Sequence, residues 1–293
     1  MFRGFDYVRP TDISGAIDAL STHEDSEILA GGTDLLLRLR ETSGPDKLLV
    51  DIKRCEGLRG IEERQAGLFI GPLTTIRELV ESALIRERYR CLWDAASVFG
   101  CHEIRNRATI GGNIVHASPG AESGTPLFVF EASVELTGPS GKRTLPVLEF
   151  WQGAGKVQMQ RGEVLTGILL PEFSGPIESR YRRISRTKGM DLAALGVSVL
   201  VTSPDNPSQR EIRIAMAAVE QVPYRNREVE SLLSHRALDG RIIAEAKVMM
   251  AESIHPRDTS IRANPSYKRA MVGNLTEQIL GELELIEEGA AEK

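Results

Sequence analysis

Two stretches of this 293-residue chain have the residue types and spacing to bind an anion: Leu29-Ala30-Gly31-Gly32-Thr33-Asp34 and Thr109-Ile110-Gly111-Gly112-Asn113. In each, a short apolar run meets a glycine pair and then a small polar residue. Glycine tolerates positive φ and leaves the backbone bare, so neighbouring N–H groups can converge on one anion. Thr33 or Asp34 can also cap the run Leu35 to Arg40, which would aim the positive end of a helix dipole at the same place. If the two loops meet, they suit a polyphosphate held from two sides. The alternative reading is that each pair is an ordinary turn between a strand and the next element.

Other chemistry is sparse. His23, His102, His116, His235 and His255 make no metal-ligand spacing with one another or with a cysteine. Cys55, Cys91 and Cys101 are odd in number and lack a C-x-x-C spacing, so they read as reduced, buried thiols. No Ser/His/Asp set or carboxylate pair stands out, so no catalytic residue and no metal site is assigned. Glu103, Arg105 and Arg107 form either a solvated charged face or a partner contact.

The elements that must position these loops follow from periodicity. Behind Thr11 and Asp12, the residues Ile13, Ala16, Ile17 and Leu20 fall on one helical face. A strand from Glu27 leads into the first loop, and Lys47 to Ile52 returns as a strand. Leu68 to Gly71 belongs to a hairpin, and Thr75-Ile76-Arg77-Glu78 is a capping box opening a helix that reaches about Ser82. Tyr89 to Phe99 is predicted helical and ended by Gly100. Asn113 to Glu122 reads as small and polar, and Thr125 to Ala132 as a buried helix. Ser133 to Thr137 pairs with Arg143 to Val147 across Gly138-Pro139-Ser140-Gly141, and Val164 to Leu170 is a strand. Three strands follow (180–185, 194–202 and 211–219), then helices over 227–234, 239–253 and 267–285. The acidic tail 282–293 is expected to fray.

Composition sets the class. With 41% apolar residues the chain can bury a sizeable core, and its length suits two or three domains. A net charge of −5, a pI near 5.7 and no basic tract argue against nucleic acid as a partner. No window approaches the roughly 20 apolar residues of a membrane span, and the opening residues lack a signal-peptide core. The cytoplasm is the expected compartment.

Both glycine loops together with Arg105-Asn106-Arg107, Ala117-Ser118-Pro119, Gly162-Glu163-Val164-Leu165-Thr166, Ser185 to Ala193, Ala218-Val219 and Pro223-Tyr224-Arg225 resemble the FAD-binding, medium subunit of the molybdenum hydroxylases. This is the carbon monoxide dehydrogenase and xanthine dehydrogenase family. The resemblance covers nearly the whole chain and implies an α+β fold. A two-lobed FAD-binding domain of the p-cresol methylhydroxylase type (residues 1–175, with lobes of about 1–56 and 57–175) would precede a smaller α+β C-terminal domain (176–293).

The resemblance also implies a cofactor site. Leu29, Ala30, Gly31, Gly32, Thr33 and Asp34 with Thr109, Ile110, Gly111, Gly112 and Asn113 would hold the FAD pyrophosphate, largely through backbone N–H groups. Neither loop contains Lys or Arg, so neutralisation would fall to amide dipoles. Glu122 matches a carboxylate that meets a cofactor hydroxyl, Phe99 and Leu165 match apolar neighbours of the flavin or adenine, Arg183 falls where lysine is common, and Asp191 where an acid lies near the ring. Three positions depart from the pattern. Glu122 is one methylene longer than the usual aspartate, Arg183 is a planar fork, and Leu192 stands where some relatives carry tyrosine. His116, just past the second loop, is a candidate for covalent flavin attachment.

By the same resemblance the [2Fe–2S] clusters and the molybdenum cofactor lie in a small and a large partner subunit, in a dimer of heterotrimers. FAD would pass electrons to an acceptor such as NAD. A free-standing FAD-dependent oxidoreductase and a non-catalytic FAD-binding assembly protein are the alternatives.

Overall fold

The computed structural model describes residues 4–41, 47–187 and 189–287; the last six residues of the acidic tail, 288–293, lie outside the described residues. Its contacts divide the chain into two compact units. The first comprises Met1–Leu79, Cys101–Ala117 and Glu131–Glu172, and the second comprises Val80–Gly100, Ser118–Phe130 and Phe173–Lys293.

The first unit holds two sheets. Strands β1 (Phe5–Val8), β2 (Ser26–Leu29) and β3 (Lys47–Asp51) make a parallel sheet in the order β1-β3-β2. Parallel strands need a crossover, and the helix Ile13–Thr22 supplies it between β1 and β2, the strands on either side of β3. That helix starts where Asp12 accepts from the Gly15 amide at 2.7 Å, and it buries Ala16 and Leu20 with Val50 and Ile52. The apolar face read from the sequence is therefore the packed one. Strand β1 carries no sequence signal of its own, because Phe5, Asp6 and Tyr7 are exposed and four residues give no period.

The second sheet is antiparallel, in the order β4-β5-β10-β6-β7. It is built from β4 (Ile61–Arg64), β5 (Gly67–Ile70), β6 (Ser133–Gly138), β7 (Gly141–Pro146) and β10 (Val164–Pro171). The short pair β8 (Trp151–Gly153) and β9 (Lys156–Val157) stands beside it in sequence. The expected hairpin closes with Gly138 opposite Gly141. The capping box is formed as predicted. Glu78 accepts from the Thr75 amide at 2.8 Å, and Thr75 Oγ1 accepts from the Glu78 amide at 3.3 Å.

In the second unit, β11 (Ile177–Ile184), β12 (Leu195–Thr202), β13 (Glu211–Ala217) and β14 (Tyr224–Arg225) form one antiparallel sheet in sequence order. Leu195, Val197, Val199 and Val201 alternate onto a face that packs with Val229, Ile243, Met250, Val272 and Ile279 of the three C-terminal helices. The opposite face of β12 meets the helix Gly124–Val129, where Ser198 Oγ donates to Thr125 Oγ1 at 2.9 Å. The helix Arg90–Ser97 lies against β11 through bonds from the Cys91 amide to Ser179 Oγ and from the Tyr181 amide to Asp94 Oδ2. No helix among the described residues is long and apolar enough to cross a membrane.

Candidate functional site

The first unit brings the two glycine loops together. Gly31 sits against the backbone of Arg107 and Ala108, so close that a Cβ would fall inside the envelope of the Arg107 carbonyl. Arg107 and Ala108 lead directly into Thr109. Gly32 takes φ +76°, the left-handed turn that starts the helix Leu35–Glu41, with Gly32 O accepting from the Leu36 amide at 3.1 Å. Among the described residues, the half-buried amides of Gly31, Gly32 and Thr33, and that of the more exposed Asp34, donate to no protein oxygen. A half-buried row of uncommitted N–H groups on a bare backbone suits a pyrophosphate.

The second loop is built differently. Thr109 caps the helix Ile110–His116, its Oγ1 accepting from the Gly112 amide at 3.1 Å. The Ile110 amide donates to Thr74 O, that of Gly111 to Pro72 O and that of Asn113 to Thr109 O. These four amides are committed within the protein, unlike those of the first loop. Gly111 is there for packing, since a Cβ would lie 2.7 Å from the Pro72 carbonyl oxygen. The stretch after it, read as small and polar, is helical as far as His116, because the Thr109 cap supplies a start that the glycines hid. His116 is exposed on the last turn of that helix.

The approach of the loops is fixed from below. Ala108 O accepts from the Ile76 amide, and Thr109 bridges Thr75, which ties the second loop to the capping box. Leu29 pairs with Asp51 in the parallel sheet, and Lys53 Nζ reaches both Ala30 O (3.3 Å) and Asp51 (2.9 Å). Burial by itself would raise the Asp51 carboxyl. Hydrogen bonds from Tyr7 and Lys53 outweigh it and hold the group below its ordinary value. Leu165 is buried in β10 opposite Leu136, beside an irregularity in the register at Gly167.

The other sequence-derived candidates belong to the second unit. Glu122 and Arg183 form a buried ion pair at 2.7 Å, and the same Arg183 nitrogen donates to Asp191 O at 3.0 Å. Burial pushes the Glu122 carboxyl above its ordinary value, against the pull of the Arg183 charge. The Asp191 carboxylate turns inward on its own loop. It accepts from the Arg186 and Leu192 amides and pairs with the Arg186 guanidinium, which lowers its pKa. Phe99 is half-buried just beyond the helix Arg90–Ser97. Leu192 is half-exposed. Arg225 of the Pro-Tyr-Arg motif serves packing, its guanidinium buried against Glu230 at 2.7 Å.

One site escaped the sequence reading. Within the second unit, Arg257, Arg262 and Lys268 line a small pocket of about 60 Å³ that is open to solvent. Their spacing of five and six residues, spread over a turn and the start of a helix, carries no periodic signal.

The chain compares closely with known proteins. Residues 3–173 match the model described as the FAD binding domain in molybdopterin dehydrogenase, and residues 180–283 the CO dehydrogenase flavoprotein C-terminal domain. The carbon monoxide dehydrogenase medium chain of Hydrogenophaga pseudoflava is 30% identical over 94% of this chain and 96% of its own. The xanthine dehydrogenase FAD-binding subunit of Escherichia coli O157:H7 is 28% identical over 96% and 97%. A solved carbon monoxide dehydrogenase structure from Hydrogenophaga pseudoflava superposes with a TM-score of 0.90 at 29% identity, covering 96% of this chain and 97% of that one. The α+β architecture expected from the resemblance is that of these medium chains. With both segments matched in order and a first loop fit for a pyrophosphate, the chain belongs to the FAD-binding flavoprotein subunits of the molybdenum hydroxylases.

Proposed function

We propose that this subunit takes electrons from [2Fe–2S] clusters of a small partner subunit and passes them through FAD to an external acceptor such as NAD. A large partner carries the molybdenum cofactor and oxidises the substrate. The observation that carries this reading is the row of uncommitted amides from Gly31 to Asp34, packed beside the entry to the second glycine loop. Two relatives bear names that fit it: a medium chain of carbon monoxide dehydrogenase and a FAD-binding subunit of xanthine dehydrogenase.

When bound, FAD supplies the redox chemistry, and the residues of the chain hold it. Gly31, Gly32, Thr33 and Asp34 donate backbone N–H groups to the pyrophosphate, with Leu29 and Ala30 fixing the end of the strand that presents them. Thr109, Ile110, Gly111, Gly112 and Asn113 close the other side. Given the committed amides there, their part is mainly to set the shape of the wall. No side chain of this chain is assigned a catalytic role. Three unpaired thiols, two of them buried, are too few for the clusters, so iron belongs to the partner. The assembly is a dimer of heterotrimers in the cytoplasm, with residues 1–175 as the cofactor domain and 176–293 as the C-terminal domain.

The test is the optical and metal content of the purified chain, alone and with its co-purifying partners. Flavin absorption alone from the isolated chain, with iron and molybdenum recovered only in the complex, is the expected result. Stoichiometric iron in this chain, or a folded chain that stays colourless with added FAD, overturns the reading. A pull-down that yields no second redox subunit points instead to a free-standing oxidoreductase.

A further inference from the structure

The pocket at Arg257, Arg262 and Lys268 has more positive charge than its surroundings neutralise. Among the described residues neither Arg257 nor Arg262 makes an ion pair, and the Arg262 Nε is buried without a hydrogen-bond partner. Lys268 is only 4% exposed, and its ammonium donates to a neutral acceptor, Ala218 O, at 2.6 Å. Desolvation lowers the Lys268 pKa, and the charges of Arg257 and Arg262 lower it further, so the three cations strain one another. The one carboxylate on the wall, Glu220, is already engaged by the His255 amide and ring. The nearby Glu122 feels the Arg262 charge but is spent on Arg183.

The pocket is also held in shape. Ala218 adopts φ +63°, a left-handed conformation that side chains other than glycine rarely take. It is kept there by its amide donating to Pro119 O at 2.7 Å and by its carbonyl accepting from Lys268. A strained residue pinned between a buried ammonium and a second loop is a built feature of the wall. Ser118 and Ser260 add hydroxyls to the lining.

We propose that this pocket is a phosphate-binding site that takes the phosphate of a phosphorylated small molecule between Arg257, Arg262 and Lys268 while FAD is bound. Two guanidinium forks and an ammonium match the several oxygens of a phosphate better than a single carboxylate, and an unpaired Arg262 Nε gains a partner when the anion enters. At about 60 Å³ the pocket has room for the phosphate group itself. The site rests on residues of the second unit alone and does not depend on the glycine loops.

The experiment is a calorimetric titration of the full chain with sodium pyrophosphate at low ionic strength, in its FAD-loaded and FAD-stripped forms. Saturable binding is expected in both forms, and the variants are compared in the FAD-loaded form, where the amides from Gly31 to Asp34 are already taken. Arg262→Gln should weaken it about tenfold or more and Arg257→Gln about threefold, while Arg161→Gln, an exposed residue of the first unit, leaves it unchanged. Because Lys268 is buried and its loss could unfold the site, Arg257 at the exposed rim keeps the test independent of folding. No saturable heat, or wild-type affinity in both the Arg262 and Arg257 variants, overturns the proposal. Binding that vanishes on FAD loading also overturns it, since the anion would then be occupying the cofactor's own phosphate position. A chain that takes up no FAD fails the FAD reading by its visible spectrum, while the titration still decides the pocket.

Discussion

Gly31 packs on the carbonyl of Arg107 with no room for a Cβ, and this contact joins two sequence motifs that lie more than seventy residues apart. It makes the glycine a matter of packing as well as of turning. Gly31→Ala should therefore push the loops apart, costing about 1–3 kcal/mol in stability and lowering flavin content. Gly240→Ala is the control, because a Cβ there meets nothing within 4 Å. The ratio of visible to ultraviolet absorbance and the thermal midpoint read both effects.

Thr109 caps the helix behind the second loop by accepting from Gly112. Thr109→Ala should lose about 1 kcal/mol, whereas Thr109→Ser should restore most of it. Urea unfolding followed by circular dichroism separates the two variants. A Ser variant as poor as Ala would show that the methyl, not the hydroxyl, matters there.

Glu122 and Arg183 are buried together, so each leaves an unpaired charge behind when the other is removed. Glu122→Ala or Arg183→Met alone should cost about 3–5 kcal/mol. The double variant should lose much less than the two costs added, because no orphan charge remains. Denaturation midpoints of the four proteins give the coupling.

Acid should unfold the first unit through its paired carboxylates. Glu163 is held below its ordinary value chiefly by Arg143, at 2.7 and 2.9 Å, and Glu78 and Asp51 are lowered as well. A depressed folded pKa contributes stability that is present above the unfolded value and is lost as pH falls through the folded one. Thermal midpoints should therefore fall steadily below about pH 4.5, near the ordinary carboxylate values. Glu163→Gln should flatten the slope. Glu122 has the opposite sign: its raised pKa makes its ionisation a cost that appears as pH rises past the unfolded value.

Short-range signals were read correctly from the chain. The Asp12 and Thr75 starts, the 138–141 turn and the apolar face of the helix Ile13–Thr22 depend on neighbours within a few residues. The family resemblance likewise rests on local strings, and it named the class of cofactor. Tertiary packing decided the rest. It set Gly31 on Arg107, left the first loop's amides uncommitted while occupying the second loop's, and turned the Asp191 carboxylate back onto its own loop. It also gathered Arg257, Arg262 and Lys268 around one pocket. Hydrogen-bond commitment and charge balance depend on which distant segments meet, and a linear string of residues does not carry that information.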